Sequence, residues 1–248
     1  MRKNRAPSIA VIAGTGVSDL FPVGPRISLK TRFGAAVAFK SKSGEFYVLP
    51  RHGPGHTLPP HMVNYRANVV GLSSLGVKDV VATSAVGSMN QKFVVGALGL
   101  ADQFLDFTKN RRSTLFDRKV AHTDMTEPYS KELNEAIVRA GSSVGVGVLE
   151  GLTYVGVEGP RFETAAEIRM YRGLGGDVVG MTGVPEVVLA REAGLRYSSI
   201  LIATNWAAGM QEKVSHEEVV AVMEKSGQEV KRVIEKTVND LSQKPPRE

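Results

Sequence analysis

The stretch DVVGMTGVPEVVLAREAGLRYSSILIATNW, residues 177–206, decides the fold. Its apolar runs at 177–182 and 197–204, rich in β-branched residues, are typical of buried strands. Between them, Pro185 stands where proline is favoured in the first turn of a helix, and a glycine follows the last turn. The spacing therefore predicts a strand, a helix over 185–193 and a second strand.

The same alternation extends through the chain. Further strands are predicted at 8–13, 45–50 and 77–84, and further helices at 60–75 and 165–175. Strands that alternate with helices of this length predict an α/β fold with a mixed, largely parallel central sheet flanked by helices.

The C-terminal segment is predicted to form one long helix over 215–241. Ser215 and Glu218 have the spacing of a capping box, and one apolar stripe follows them. A length of 248 residues suits one domain, and the sequence has no repeat, linker or low-complexity segment. We therefore expect a single domain over 1–248, with flexible tails at 1–7 and 242–248.

Composition narrows the classes of function. The net charge is +6, but the basic residues are scattered and aromatic residues make up only 6% of the chain, so a solvated surface is favoured over a nucleic-acid site. No apolar run reaches the roughly 18 residues of a membrane span, and the apolar run at 9–13 is too short for a signal peptide. The absence of cysteine excludes disulfides and thiolate chemistry, and it fits a cytoplasmic protein.

Several polar residues fall at the predicted ends of strands. The stretch AGTGVSD, residues 13–19, lacks the third glycine of a dinucleotide fingerprint, which disfavours a nicotinamide-dependent dehydrogenase. Its glycine N–H groups and the Thr15 hydroxyl suit either an anion cradle or a plain tight turn. In PRHGPGH, residues 50–56, Arg51 and His52 offer donors for an oxyanion, although a solvated loop has the same composition.

Ligands of open α/β sheets bind outside the carboxyl ends of the strands. Thr15, Arg51, Ser84 and Thr182 all lie at such predicted ends, which favours a shared phosphate pocket. Other candidates have ordinary alternatives. Glu163 suits the first turn of a helix, where the dipole favours an acid, and a histidine such as His216 is common on a surface. No metal-ligand spacing or nucleophile elbow occurs.

Taken together and in order, the motifs GTG, RHG, VNYRAN, SAVGSMN, EGPRFET, GMTGVPEVVLAREAGL and ATN resemble those of one family. The chain is similar, from about Ile9 to the final helix, to the trimeric purine nucleoside phosphorylases and the methylthioadenosine and methylthioinosine phosphorylases. The resemblance implies an α/β fold, assembly as a homotrimer or a dimer of trimers, and reversible phosphorolysis of an N-glycosidic bond. It implies inorganic phosphate as co-substrate, with no cofactor and no metal.

The resemblance also implies roles for individual residues. The phosphate ligands would be Thr15, Arg51, His52, Ser84, the N–H of Ala85, and Thr182. Met181 would pack under the ribose and Phe162 against the purine. His122 matches a position that reaches the neighbouring subunit's site.

Three positions distinguish the branches of this family. Methylthioadenosine phosphorylases typically carry Asp-x-Asp where this chain has Asn205 and Ala207. The Asn205 amide can accept from a protonated purine N7 and donate to O6, so we predict it as the catalytic residue that stabilises the leaving base. Glu163 stands where the methylthioadenosine enzymes usually carry Ser, and its carboxylate can accept a hydrogen bond from N1–H of a 6-oxopurine. His216 aligns with a ligand of the 5′-hydroxyl, where the methylthio branch has an apolar residue.

The sequence thus predicts a phosphorylase of 6-oxopurine nucleosides, inosine and guanosine. Its RHG and VNYRAN context is nevertheless closer to the methylthio branch. Methylthioinosine or methylthioadenosine phosphorylase therefore remains the alternative.

Overall fold

The computed structural model of the protein describes residues 6–243, which form one nine-stranded sheet and five α-helices. The strands are β1 (Ile9–Ala13), β2 (Val23–Thr31), β3 (Gly34–Ser41), β4 (Tyr47–Pro50), β5 (Asp79–Ser88), β6 (Leu98–Phe107), β7 (Val148–Val157), β8 (Val178–Gly180) and β9 (Arg196–Trp206). The helices are α1 (Tyr65–Ser74), α2 (Lys131–Ser143), α3 (Ala165–Gly173), α4 (Gly183–Glu192) and α5 (His216–Gln243).

The sheet is mixed, and part of it closes on itself. The strand order is β2-β3-β4-β1-β5-β8-β7-β6-β9, and β9 also pairs with β5. Strands β5, β8, β7, β6 and β9 therefore form a closed cycle. The pairs β1–β4, β1–β5, β5–β9, β6–β7 and β7–β8 are parallel, whereas β2–β3, β3–β4, β5–β8 and β6–β9 are antiparallel.

Both faces of the sheet are covered by helices. Because side chains alternate along a strand, Ala10 and Ile12 of β1 join a core that includes side chains of α1 and α4. Ile9 and Val11 join a second core, which includes side chains of α2 and α5. The result is the α/β architecture predicted from the sequence, in which each face of β1 is fully buried.

The predicted strand–helix–strand unit is present as β8, α4 and β9, but its pairing differs from a simple parallel crossover. Strand β8 has only three residues and pairs antiparallel with the far end of β5, at Gly87 and Ser88. Strand β9 runs parallel to β5 along most of its length. The backbone of Val184 is extended, so the regular part of α4 follows it, as the position of Pro185 predicted.

Five elements were not predicted: β2, β3, β6, β7 and α2. At the ends of the chain, α5 continues to Gln243, so residues 242–243 of the predicted tail are helical. Of the predicted N-terminal tail, residues 6 and 7 are described and lie outside any helix or strand, with Pro7 buried. Residues 1–5 and 244–248 lie outside the described residues. Between residues 6 and 243, no helix is both long and apolar enough to cross a membrane.

Candidate active site

A cavity of about 510 Å³ opens beside the ends of β1 and β4 and the middle of β5. Most of the residues singled out in the sequence line it. They are Thr15, Arg51, His52, Ser84, Ala85, Phe162, Glu163, Met181, Thr182, Asn205 and His216. Its size lies within the range of small-molecule sites.

Strand register brings the phosphate candidates together. Strand β1 ends at Ala13, which pairs with Pro50 of β4, so Thr15 and Arg51 leave the same edge of the sheet. The position of Ser84 differs from the prediction, because β5 does not end there but continues to Ser88. Since Ile12 pairs with Ala82, Ser84 nevertheless lies just beyond the end of β1 and faces the same cavity.

The glycine loop after β1 approaches β5 closely. Gly14 donates its N–H to the Thr83 hydroxyl at 2.9 Å. A Cβ atom at Gly14 would lie 2.6 Å from the Thr83 carbonyl oxygen and 2.8 Å from Arg51 Nη1. The first glycine of this loop is therefore needed for the close packing of Thr15 and Arg51 around one space.

Arg51 is fully buried and is held by an internal carboxylate. Its Nε and Nη2 groups donate to Glu186 at 2.7 and 2.6 Å, and Nη1 donates to the Thr83 carbonyl at 2.7 Å. Burial acts to lower the pKa of Arg51, but the Glu186 carboxylate outweighs it and raises the pKa above its usual value. A guanidinium has five N–H groups, so these contacts leave two N–H groups unused in a residue that lines the cavity.

Glu186 is itself fixed from a second side. The Tyr197 hydroxyl donates to Glu186 Oε1 at 2.7 Å, and the carboxylate has no exposed surface. The first turn of α4 and strand β9 thus fix the direction in which Arg51 points. Sequence analysis assigned Glu186 no role, although one acid within the apolar run GVPEVVLA is a usable sign of a buried ion pair.

His52 is a buried, neutral histidine. Its Nδ1 lies 2.8 Å from the Leu58 carbonyl oxygen, and because a carbonyl only accepts, Nδ1 carries the proton. Burial, reinforced by Arg51, lowers the pKa of His52 to about 4. Nε2 is therefore an acceptor at neutral pH, suited to a protonated oxygen of phosphate.

Thr182 keeps its hydroxyl available at the start of α4. It occupies the N-cap position, yet its side chain caps no backbone group of the helix. The N–H groups of Thr182 and Gly183 donate instead to the Tyr154 hydroxyl, at 3.2 and 3.0 Å. Sequence analysis did not single out Tyr154. Because its hydroxyl accepts from both backbone N–H groups at this helix end, an anion bound here would have to be held by side chains.

A β-bulge in β9 presents two successive side chains to the cavity. Val86 pairs with Ala203 and Gly87 with Asn205, so Thr204 is the additional residue of the bulged strand. Side chains of a regular strand alternate between faces, whereas a bulge re-aims them. Thr204 and Asn205 consequently both line the cavity.

The orientation of the Asn205 amide follows from its neighbours. Nδ2 donates to the Trp206 carbonyl at 2.9 Å, which fixes the nitrogen on that side, and Oδ1 accepts from the Thr204 hydroxyl at 3.0 Å. One N–H and one acceptor position of the amide remain. The predicted ability to donate and accept at once is thus retained in the folded chain.

The opposite wall of the cavity is more exposed. Phe162 is 37% exposed and Glu163 is half-buried, both in the loop before α3. Burial raises the pKa of Glu163. The acid in the first turn of α3 is Glu167, which forms a capping box with Thr164, so Glu163 is left facing the cavity rather than stabilising the helix.

Arg111 joins this loop to the phosphate side. It donates to the Glu158 carbonyl at 2.6 Å and to the Val184 carbonyl at 2.7 Å. Glu158 in turn accepts from the N–H of Lys109 at 2.7 Å. Sequence analysis treated the basic residues only as scattered surface charge, but the Arg111 side chain is 3% exposed and holds two loops of the site.

Two of the predicted site residues lie outside the cavity lining. Ala207 is 1% exposed, packs in an apolar cluster with Val179 and Met89 and is not among the residues that line the cavity, so its contact with the base stays a prediction. The reason is the ladder beyond the bulge, where Ala207 donates to the Ser88 carbonyl at 2.9 Å. His122 is exposed in the segment between β6 and α2, and its contact with a neighbouring subunit stays a prediction.

Comparison with known proteins agrees with this arrangement. Residues 8–239 match the family described as the phosphorylase superfamily. The 6-oxopurine nucleoside phosphorylase of Pyrococcus furiosus is 46% identical over 241 residues, which cover 92% of this chain and 91% of that protein. A probable S-methyl-5′-thioinosine phosphorylase of Methanothermobacter thermautotrophicus is 45% identical, over 94% of this chain and 84% of that protein.

Solved structures give the same result for the fold. The methylthioadenosine phosphorylase of Schistosoma mansoni in complex with adenine superposes with a TM-score of 0.90 at 32% identity, covering 96% of this chain and 93% of that one. The chain therefore belongs to the phosphorylase superfamily.

Proposed function

We propose that the protein is a purine nucleoside phosphorylase that converts the 6-oxopurine nucleosides inosine and guanosine, reversibly, to the free base and ribose 1-phosphate. The observation that carries this proposal is the pairing of Asn205 and Glu163 in one cavity. A 6-oxopurine presents an acceptor at O6 and a donor at N1, which matches the free N–H of Asn205 and the carboxylate of Glu163. Adenine presents the opposite pattern at both positions, and each mispaired buried group costs about 1–3 kcal/mol.

The phosphate end supplies positioning. Arg51, Thr15, Ser84 and Thr182 line one cavity. In the proposed reaction they bind phosphate, and a phosphate oxygen attacks C1′ of the ribosyl group. As the new C1′–O bond forms, the C1′–N9 bond breaks and its electron pair passes to the purine. Asn205 stabilises that charge at N7 and O6. Phosphate is the co-substrate, and the chemistry needs no further cofactor.

The second candidate is phosphorolysis of methylthioinosine. It is favoured by the apolar neighbours of His216 in the cavity, Val219 and Leu58, which suit an S-methyl group. The expected effect of His216→Val is a shift in preference from inosine toward methylthioinosine, measured as the ratio of the two kcat/KM values. An unchanged ratio would remove His216 from 5′ recognition.

We further propose that the enzyme works in the cytoplasm as a homotrimer or a dimer of trimers. In support, the described surface carries exposed apolar side chains such as Val120, 85% exposed, and Met62, 61% exposed. Val120 lies two residues from His122, the residue predicted to reach the neighbouring site. Light scattering should give three or six times the monomer mass, and a monomer at working concentration would contradict the assembly.

The experiment that tests the activity is product analysis with inosine. In the presence of phosphate, the protein should release equal amounts of hypoxanthine and ribose 1-phosphate. In its absence, release should stop. Hypoxanthine together with free ribose, formed without phosphate, would instead show a hydrolase.

A further inference from the structure

His56 has a backbone conformation that normally belongs to glycine. Its φ is +55°, the one positive value at a non-glycine position among residues 6–243. It ends a turn in which Gly53 and Gly55 also have positive φ, and its N–H donates to the Gly53 carbonyl at 3.1 Å. A residue with a Cβ is strained in this region, and such strain concentrates at functional sites.

His56 is an exposed residue, and its side chain is one of those that line the cavity. Its ring lies 4.4 Å from the His52 ring, centroid to centroid, with the planes inclined by 36°. The ring lines the same cavity as His52 and His216. Neither ring nitrogen has a hydrogen-bond partner within the described part of the chain.

The surroundings of His56 indicate which end of a ligand it meets. His52 lies on the phosphate side, and His216, at the start of α5, lies where the sequence predicts the 5′ end of the nucleoside. Burial and then His216 lower the pKa of His56, while Asp19 acts in the opposite direction. His56 and His216 line the same cavity, and a neutral histidine carries one N–H donor and one acceptor.

We propose that His56 is a substrate-binding residue that, together with His216, forms a hydrogen bond with the 5′-oxygen of the bound nucleoside. This inference rests on the proposed phosphorolysis of inosine. It assigns a use to the imidazole at this positive-φ position. The recognised group is the 5′-hydroxyl of the ribosyl moiety.

The test compares inosine with 5′-deoxyinosine, which lacks the 5′-oxygen. His56→Gly relieves the backbone strain and removes the ring, so the melting temperature should rise by about 2 °C. At the same time, kcat/KM for inosine should fall by about fivefold or more, while kcat/KM for 5′-deoxyinosine stays within about twofold. A residue with a purely structural role would not separate the two substrates.

His56→Ala is the matched variant, because it removes the ring but keeps a Cβ at positive φ. His56→Ala should show the same kinetic pattern as His56→Gly, but its melting temperature should lie below that of His56→Gly. Equal losses with both nucleosides, or a raised KM for phosphate with both, would overturn the 5′-contact. If the wild-type enzyme cleaves inosine and 5′-deoxyinosine equally well, the 5′-contact is overturned while the proposed phosphorolysis stands. If it releases hypoxanthine from neither nucleoside, both proposals are overturned.

Discussion

The two ends of the cavity are built differently. At the phosphate end, Arg51 is fixed by Glu186, Thr83 and, through Glu186, by Tyr197, all of them buried. At the base end, Phe162 and Glu163 lie in a partly exposed loop. The first end is part of the folded core, so its residues serve stability and anion binding together. The loop of the second end is partly exposed, so we expect it to vary at a smaller cost in stability and to contribute, together with Asn205, to substrate choice.

The largest effect should come from breaking the buried ion pair. Glu186→Ala leaves the Arg51 cation buried without its carboxylate, and such losses cost about 3–5 kcal/mol of unfolding free energy. Urea denaturation measures this loss of unfolding free energy, and the affinity for phosphate should fall in the same variant. Glu135→Ala is the control, since its pair with Arg139 is half exposed and should contribute about 1 kcal/mol or less. Equal effects of the two substitutions would erase the distinction between the buried end and the surface.

The pH dependence of stability should also report on the phosphate end. The pKa of His52 is about 4 in the folded chain, below its ordinary value of 6.5, so folding favours the neutral ring. Its contribution is complete above about pH 6.5 and is lost as the pH falls toward 4, by up to about 3 kcal/mol. Unfolding free energies of the wild type and His52→Gln, measured without phosphate, should diverge over this range. Parallel curves of unfolding free energy against pH for the two proteins would contradict the lowered pKa of His52.

At the base end, Asn205→Ala should lower turnover. Without the amide, charge on the leaving purine loses its donor, and kcat for inosine should fall by about tenfold or more. Steady-state kinetics measures the change, and Asn239→Ala, at an exposed amide of α5, serves as the control. Near-normal turnover of Asn205→Ala would remove the catalytic role of this residue.

Glu163→Ser should have the smallest effect on the fold and a selective effect on the substrate. Losing the carboxylate removes the partner of N1–H and the mismatch with adenine. The ratio of kcat/KM for adenosine to that for inosine should therefore rise by about tenfold. Glu150→Ser, at an exposed position in β7, is the control. A ratio that stays constant would mean that Glu163 does not read the base.

Sequence patterns predicted the elements that carry the site more completely than those that surround it. Helices α3, α4 and α5 were found because caps, proline and apolar periodicity coincide. Strands β6 and β7 were missed since bulges interrupt their pairing, and both alternate poorly between polar and apolar residues. The hairpin β2–β3 lies at the edge of the sheet, where polar side chains mask the pattern.

Site residues were predictable from the sequence where a polar residue directly follows a predicted strand. Thr15, Arg51 and Thr182 stand just after strands, and parallel register brings such positions together. The role of Glu186 depends on a contact 135 positions apart in the chain, which no local pattern encodes. The bulge at Thr204 and the burial of Ala207 depend likewise on pairing with β5, which lies more than 100 residues earlier in the chain.

The most direct test of the central claim is a comparison of five nucleosides at saturating phosphate: inosine, guanosine, adenosine, methylthioinosine and methylthioadenosine. If Asn205 and Glu163 select a 6-oxopurine, kcat/KM for inosine and guanosine should exceed that for adenosine by about a hundredfold, since two mispaired groups are involved. Preferential cleavage of methylthioadenosine would leave the phosphate end as described and contradict the account of base selection.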